Sequence, residues 1–412
     1  MARAWERPVG TRDFFGDAMR QRNQIIHAIR NTAKTFDYDE IETPMLEYSQ
    51  TFQFGLLRDD EERLFRTFDP AGHTLALRPE MTTPVARVAA TLLAREPLPL
   101  RLMYAAKTYQ TPTLRAKQTI EVTQAGFECI GDEGLEADAE VIALAVRSLQ
   151  ALGIQTFRIA IGHTGYVQTW FEKIPETLAR GLRQAMLEKD WVQYETELKP
   201  YQSATWYDAV RSLPRVRGTR TALLQARSAA TDPAGRACCD ELLTLFDLLD
   251  LYGVLEYVHV DLGLVLDHDY YTGPVFEGYA EHLGQPICVG GRYDNLLGCF
   301  DRPLPATGCA LFVERLMRVV AEPQEEEERI VVRYVEKGRM SALSFAEWLR
   351  RKGSIVRTER MPSDAMGAEG ETAGGCSGGI MRVLEVSGAR VHGDVRLQDD
   401  YRAFLREGGI TC

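Results

Sequence analysis

The chain has 412 residues, 45% of them hydrophobic and 26% charged, which supplies apolar material for two or three packed domains and excludes a wholly disordered polymer. Its 48 Lys plus Arg stand against 59 Asp plus Glu, and the resulting net charge of −11 argues against a broad phosphate-gripping surface of the kind RNA binding uses. The eight cysteines form no C-x-x-C pair, the first residues hold no apolar segment, and no run nears the ~18 uncharged residues of a membrane span, so a cytoplasmic protein with reduced thiols is expected, without zinc or a disulfide framework.

Residues 1–16 end in the loop PVGTRDFF, and Asp17 is placed to cap a helix over 19–36, where Ile25, Ile26, Ile29 and Ala33 recur at helical spacing. A strand is expected at 41–46, confined to an edge or interface by Pro44, which cannot donate to a central ladder. Alternation on both sides of a Pro-Ala-Gly turn predicts a hairpin of 64–68 with 74–77, followed by a helix over 81–94. A second strand pair is predicted at 100–108 and 119–130, joined by a loop with Pro112, Arg115 and Lys117. Then come a helix over 134–152 and a strand over 157–163.

From 164 to 251 the pattern is helical, and an all-helical block between strand-rich blocks reads as an inserted subdomain. Strands resume at Tyr257, run through Leu311 and end in the helix VERLMRVVA. Pro323 and the run Gln324 to Glu328 read as a solvated linker. Beyond it, strands are expected at 330–335, 354–360 and 381–386, and a helix at 341–353. The glycine-rich stretch 367–379 lacks the Lys-Ser or Lys-Thr and the strand-to-helix setting of a phosphate loop. The expected class is α+β: a core of 1–163 and 252–322, a helical insertion at 164–251, an acidic linker at 323–328 and a small C-terminal α/β domain at 329–412.

Three groups of residues carry candidate chemistry. In LVLDHDYYTGPVFEGY, Asp269, Tyr270 and Tyr271 precede a Gly-Pro pair and Glu277 lies between it and a Gly-Gly pair, the pattern of a strand and turn lining a small polar pocket; cross-strand packing is the plainer alternative. Glu80 and Thr82 sit at a strand-to-helix junction, where they suit a cationic ligand; alternatively Thr82 or Thr83 caps the helix and Glu80 favours its N-terminal dipole. Gln124, Gly126 and Glu128 share one strand face by period-two alternation: two acceptors beside a glycine that leaves room suit an imidazole or an amine, and a solvated strand face is the alternative.

In their order, GTRDFF, LRPEMTTP, QAGFECIG, DYYTGPVFEGY, GGRYD and ATGCALFVERL resemble the core of histidyl-tRNA synthetases and of their paralogues, the regulatory subunits of ATP phosphoribosyltransferase, over residues 8–320. The resemblance implies a class II aminoacyl-tRNA synthetase-like antiparallel sheet flanked by helices and a dimer. It puts Glu80, Thr82, Gln124, Glu128, Tyr270, Tyr271 and Tyr293 on or beside positions that hold free histidine in the family. Where the synthetases carry two arginines on the α-phosphate of ATP, this chain has Gln110 and Leu266, an uncharged pair that cannot stabilise the developing charge. The loop TPTLRAKQTI lacks the synthetase's Arg and Glu character, and Phe312 and Val313 precede Glu314 and Arg315 where the synthetase has a small glycine. The resemblance therefore implies a regulatory subunit without catalytic residues, metal or cofactor, working with the short catalytic ATP phosphoribosyltransferase subunit. Free histidine is the implied effector, a homodimer within a hetero-octamer the implied assembly, and neither nucleic acid nor membrane is expected. An active or divergent histidyl-tRNA synthetase and a synthetase-like module sensing histidine or tRNA are the alternatives.

Overall fold

The structure is a computed structural model that describes residues 3, 5–53, 64–111, 119–321, 328–362, 381–387 and 390–407. The chain divides into two compact units, Met1–Phe14 with Gln21–Ala321 and Phe15–Arg20 with Glu322–Cys412.

In chain order the first elements are α1 (Gly16–Thr35), β1 (Asp39–Glu40), β2 (Leu46–Tyr48), β3 (Arg66–Phe68), β4 (Thr74–Leu77) and α2 (Thr82–Ala90). They are followed by β5 (Leu100–Tyr109), β6 (Glu121–Ile130), α3 (Leu135–Ala151) and β7 (Phe157–His163). Residues 164–251 carry α4 (Thr164–Phe171), α5 (Glu176–Glu188), α6 (Trp191–Leu198), α7 (Tyr207–Ser212), β8 (Arg217–Gly218), α8 (Arg220–Ala229) and α9 (Pro233–Leu251). The first unit ends with β9 (Val258–Asp261), β10 (Pro274–Ala280), β11 (Cys288–Arg292), β12 (Ala306–Phe312) and α10 (Val313–Leu316).

Among the described residues nine strands form the main sheet, in the order β1-β5-β6-β12-β11-β10-β7-β9-β8. The pairs from β5 through to β7 are antiparallel, and the sheet is completed by parallel pairing of β1 with β5 and of β7 with β9 and by antiparallel pairing of β9 with β8. The class II-like sheet flanked by helices is thus present, with parallel pairs toward both ends. Helix α1 buries Ile25, Ile29 and Ala33, helix α3 buries Val141, Leu144 and Leu149, and both join Phe127, Ile159 and Leu311 of the sheet in one apolar core. The helices of 164–251 belong to that same core through Leu182, Tyr194, Leu242 and Phe246. Local signals set their ends: the Asp190 and Asp232 carboxylates accept from Gln193 N and Gly235 N, and Pro233 opens α9, where a missing N–H costs nothing.

The 64–77 hairpin, the 100–130 strand pair and the helix after Gly134 form as the periodicity predicts. The strand expected at 41–46 does not: only Leu46 onward is a strand, and the Thr43 and Pro44 carbonyls are taken by the buried Arg78 guanidinium, at 2.6 and 3.3 Å, instead of by a ladder. A side-chain fork here does what a neighbouring backbone does in a sheet. The helix expected from residue 19 begins at Gly16, so Asp17 lies inside its first turn, where its charge still favours the helix dipole.

The second unit holds β13 (Arg329–Tyr334), α11 (Arg339–Arg351), β14 (Ile355–Arg360), β15 (Met381–Ser387), β16 (Arg390–Gly393) and α12 (Val395–Arg406). Its sheet runs β14-β13-β15-β16, with Val332, Phe345, Leu384, Tyr401 and Phe404 in its core. Strand β16 and helix α12 are additions to the expected elements; the Asp394 carboxylate opens the helix by accepting from Arg396 N and Leu397 N. The 112–118 loop, the linker at 323–327 and the glycine-rich 367–379 lie outside the described residues. Among the described residues, no helix is long and apolar enough to cross a membrane.

Candidate functional site

Strand β6 lies between β5 and β12, with Glu128 opposite Leu102 and Gly308, and Gly126 opposite Tyr104 and Ala310. Directly opposed residues point to the same face, so Tyr104, Gln124, Gly126, Glu128 and Gly308 share one. Glu128 is buried among hydroxyls: Thr82 Oγ1 donates to Oε1 at 2.9 Å, Tyr104 Oη to Oε1 at 3.3 Å and Tyr293 Oη to Oε2 at 2.5 Å. Burial pushes its pKa up to about 8; the hydroxyl bonds pull it down and the nearby Glu80 charge pushes it up. At neutral pH Glu128 is therefore mainly the neutral acid, able to donate one hydrogen bond and accept others.

Both glycines make room for this arrangement. A Cβ on Gly308 would overlap the Glu128 carboxyl, and one on Gly126 would collide with the Tyr104 hydroxyl and the Cys309 carbonyl. The space beside Gly126, expected to admit a ligand, is filled by Tyr104, a member of the cluster that sequence reading missed. Its signal was present in the even spacing of Leu102, Tyr104 and Ala106, but it sits in an apolar strand whose partner cannot be read from sequence.

Glu80 is buried and its carboxylate accepts from Thr83 N at 3.0 and 3.2 Å, so it caps α2; Thr82 is left to reach Glu128. The helix end is thus met by the Glu80 carboxylate and not by a Thr82 or Thr83 hydroxyl, and the Glu80 charge also acts on Tyr104, Tyr270 and Glu128. Tyr270 bonds to Thr82 and packs on Tyr293 and Tyr271 at 5.6 and 4.7 Å between ring centres. Gln124 is buried with its Oε1 lacking any partner, an acceptor available to a ligand N–H. Six of the seven residues singled out from the resemblance form one group around Glu128, with Gln124 two pairs along the same strand face.

The other members of the Tyr270 stretch part company. Asp269 accepts from Arg183 of α5 at 2.8 Å, whereas Glu277 pairs with Lys189 at 3.3 Å and with the Tyr279 hydroxyl. Leu266 is buried in an apolar group with Leu264 and Val275, against Tyr271. Gln110 donates to the Pro79 carbonyl at 3.1 Å. The Arg315 guanidinium lies 4.0 Å over the Phe312 ring and bonds the Pro286 carbonyl at 2.5 Å. Arg292 of GGRYD is saturated by Asp138 at 2.6 and 2.9 Å and by the Asp132 and Gly134 carbonyls, a buried structural pair.

A family model described as histidyl-tRNA synthetase matches residues 10–316. The chain is 38% identical over 355 residues to the ATP phosphoribosyltransferase regulatory subunit of Geobacillus sp. (strain WCH70), covering 85% of this chain and 90% of that protein. To the protein of the same name from Bacillus subtilis (strain 168) it is 36% identical over 357 residues, with the same coverage of 85% and 90%. A crystal structure described as an ATP phosphoribosyltransferase regulatory subunit/histidyl-tRNA synthetase from Bacillus halodurans C superposes with a TM-score of 0.79 at 34% identity, over 89% of this chain and 96% of that one. Histidyl-tRNA synthetase from Nostoc sp. PCC 7120 shares the fold, with a TM-score of 0.72 at 19% identity over 98% of this chain and 99% of that one.

Proposed function

Because this chain belongs to the histidyl-tRNA synthetase family, in the branch of the ATP phosphoribosyltransferase regulatory subunits, we propose that it is the non-catalytic regulatory subunit of an ATP phosphoribosyltransferase. Its partner is the separate, short catalytic subunit that condenses ATP with phosphoribosyl pyrophosphate in the first step of histidine biosynthesis, in the cytoplasm. Its effector is free histidine, held by Glu80, Thr82, Gln124, Glu128, Tyr270, Tyr271 and Tyr293, and the inhibition is a coupling free energy between this pocket and the distant catalytic site. The assembly is a hetero-octamer containing homodimers of this chain, without nucleic acid.

The observation that carries this reading is a contrast among the motif residues. The acid Glu128 is lined by hydroxyls, while the positions that the family resemblance implies would grip ATP hold a buried leucine, a glutamine tied to the Pro79 carbonyl and an arginine stacked on Phe312. Each missing phosphate cation removes about 3 kcal/mol of transition-state stabilisation, taking the deletion of one oxyanion donor as a guide. Recognition of histidine survives such a loss; its activation to an adenylate does not.

Histidine-dependent pyrophosphate exchange by the purified chain is expected at background level, and robust exchange would return it to the synthetases. Adding the chain to the cognate short catalytic subunit is expected to restore phosphoribosyl transfer, which histidine then suppresses. Binding of histidine without restoration of transfer would leave a sensing module instead.

A further inference from the structure

A free amino acid brings a carboxylate as well as an imidazole and an amine. Near Tyr271 lies Leu266, an apolar side chain that cannot pair with an anion. Beside it opens a small cavity lined in part by Thr164, Gln168, Arg183, Leu266, His268 and Tyr271. Tyr271 joins this cavity to the Glu128 cluster: it packs against the Leu266 group, bonds to Tyr270 and feels the charge of Glu128. Arg183 is the guanidinium of this wall. One of its nitrogens donates to Asp269 at 2.8 Å, while its Nε is buried with no acceptor. The Nδ1 of His268 is also buried without a partner. Asp269 itself is 52% exposed, so water can take over its charge when it lets go.

We propose that Arg183 receives the carboxylate of the bound amino acid, exchanging Asp269 for it, so that helix α5 supplies the cation for that carboxylate. The proposal rests on reading the Glu128 cluster as a histidine pocket. It adds a charged contact from outside the sheet and from outside the family's motifs, and no proton or covalent bond changes hands: one carboxylate replaces another on the guanidinium.

Calorimetry on the full chain with L-histidine and with L-histidinol, which keeps the imidazole and amine but lacks the carboxylate, separates the two ideas. The wild-type protein is expected to prefer histidine by about tenfold or more, the worth of one charge-assisted bond. Arg183→Gln should reduce that preference to within about twofold and leave histidinol affinity unchanged, Arg183→Lys should retain most of it, and Asp269→Asn should tighten histidine several-fold by removing the competing carboxylate. A preference that persists in a folded Arg183→Gln protein, or a wild-type protein that binds both compounds equally, overturns the Arg183 assignment and leaves the histidine pocket standing. Binding of neither compound by the wild-type protein removes the pocket and the assignment together.

Discussion

Glu128 and Glu277 lie on the same face of the main sheet, related through the opposed pairs Gly126–Ala310, Ala310–Val289 and Val289–Glu277, yet they are kept in different ways. Glu128 is surrounded by three hydroxyls, with a pKa raised by burial. Glu277 has a cation, Lys189, and the Tyr279 hydroxyl. A buried acid held only by neutral groups keeps capacity for a ligand that brings its own donors or charge. A carboxylate already paired with lysine has largely spent that capacity on the fold. On the proposed function the difference separates a recognition group from a structural one, although both are glutamates on strands of the same sheet.

The setting of Glu128 is most vulnerable at Gly308. Gly308→Val drives side-chain atoms into the Glu128 carboxyl and should cost about 3 kcal/mol through overpacking, with loss of histidine binding; urea denaturation and calorimetry read the two effects. Little change in both would mean that Glu128 is free to move aside. Tyr293→Phe removes the shortest of the three bonds and leaves a buried acceptor less satisfied, an expected loss of about 2 kcal/mol by the same denaturation measurement.

The folded protein holds the Glu128 proton up to about pH 8, while the unfolded chain releases it near the ordinary value of 4.5. Between these values the folded state binds more protons, so this group's contribution to stability is full below the lower value and is lost as the pH rises toward the upper one. The slope is about 1 kcal/mol per pH unit, and Glu128→Gln should flatten it in unfolding curves recorded from pH 5 to 8. An unchanged slope would show that Glu128 is ionised in the folded protein. The smallest effect belongs to the other carboxylate: Lys189→Met should cost less than about 1 kcal/mol, because half of the Lys189 side chain is exposed and its pairing is screened, and the cost should shrink further in added salt. A loss as large as that of Tyr293→Phe would put Glu277 on the same footing as Glu128.

Local periodicity carried much of the fold. The 3.6-residue spacing of Ile25, Ile26, Ile29 and Ala33 and the alternation along 100–130 are properties of neighbouring residues, and both elements form accordingly. The stretch at 41–46 failed because Arg78, more than thirty positions away, satisfies its carbonyls, and no short window contains that partner. Strand β16 is short and shows little alternation, so its place at a sheet edge depends on β15. Of the candidate site, alternation put Gln124 and Glu128 on one face, and the motifs carrying the family resemblance pointed to Thr82, Tyr270, Tyr271 and Tyr293, which the fold groups around Glu128.

What the sequence determined by itself is the inventory of this site: an acid and an amide two pairs apart on a strand, a run of tyrosines, glycines where a Cβ would intrude, and Leu266 and Gln110 where charge is absent. The partnerships were decided only by the tertiary structure. It joined Tyr104 and Tyr293 to Glu128, turned Glu80 to the α2 terminus, gave Glu277 to Lys189 and Asp269 to Arg183, and laid Phe312 over Arg315. The physical reason is one of range. The face a side chain takes follows from its own strand, but its hydrogen-bond partner and its pKa depend on which distant segments exclude water around it.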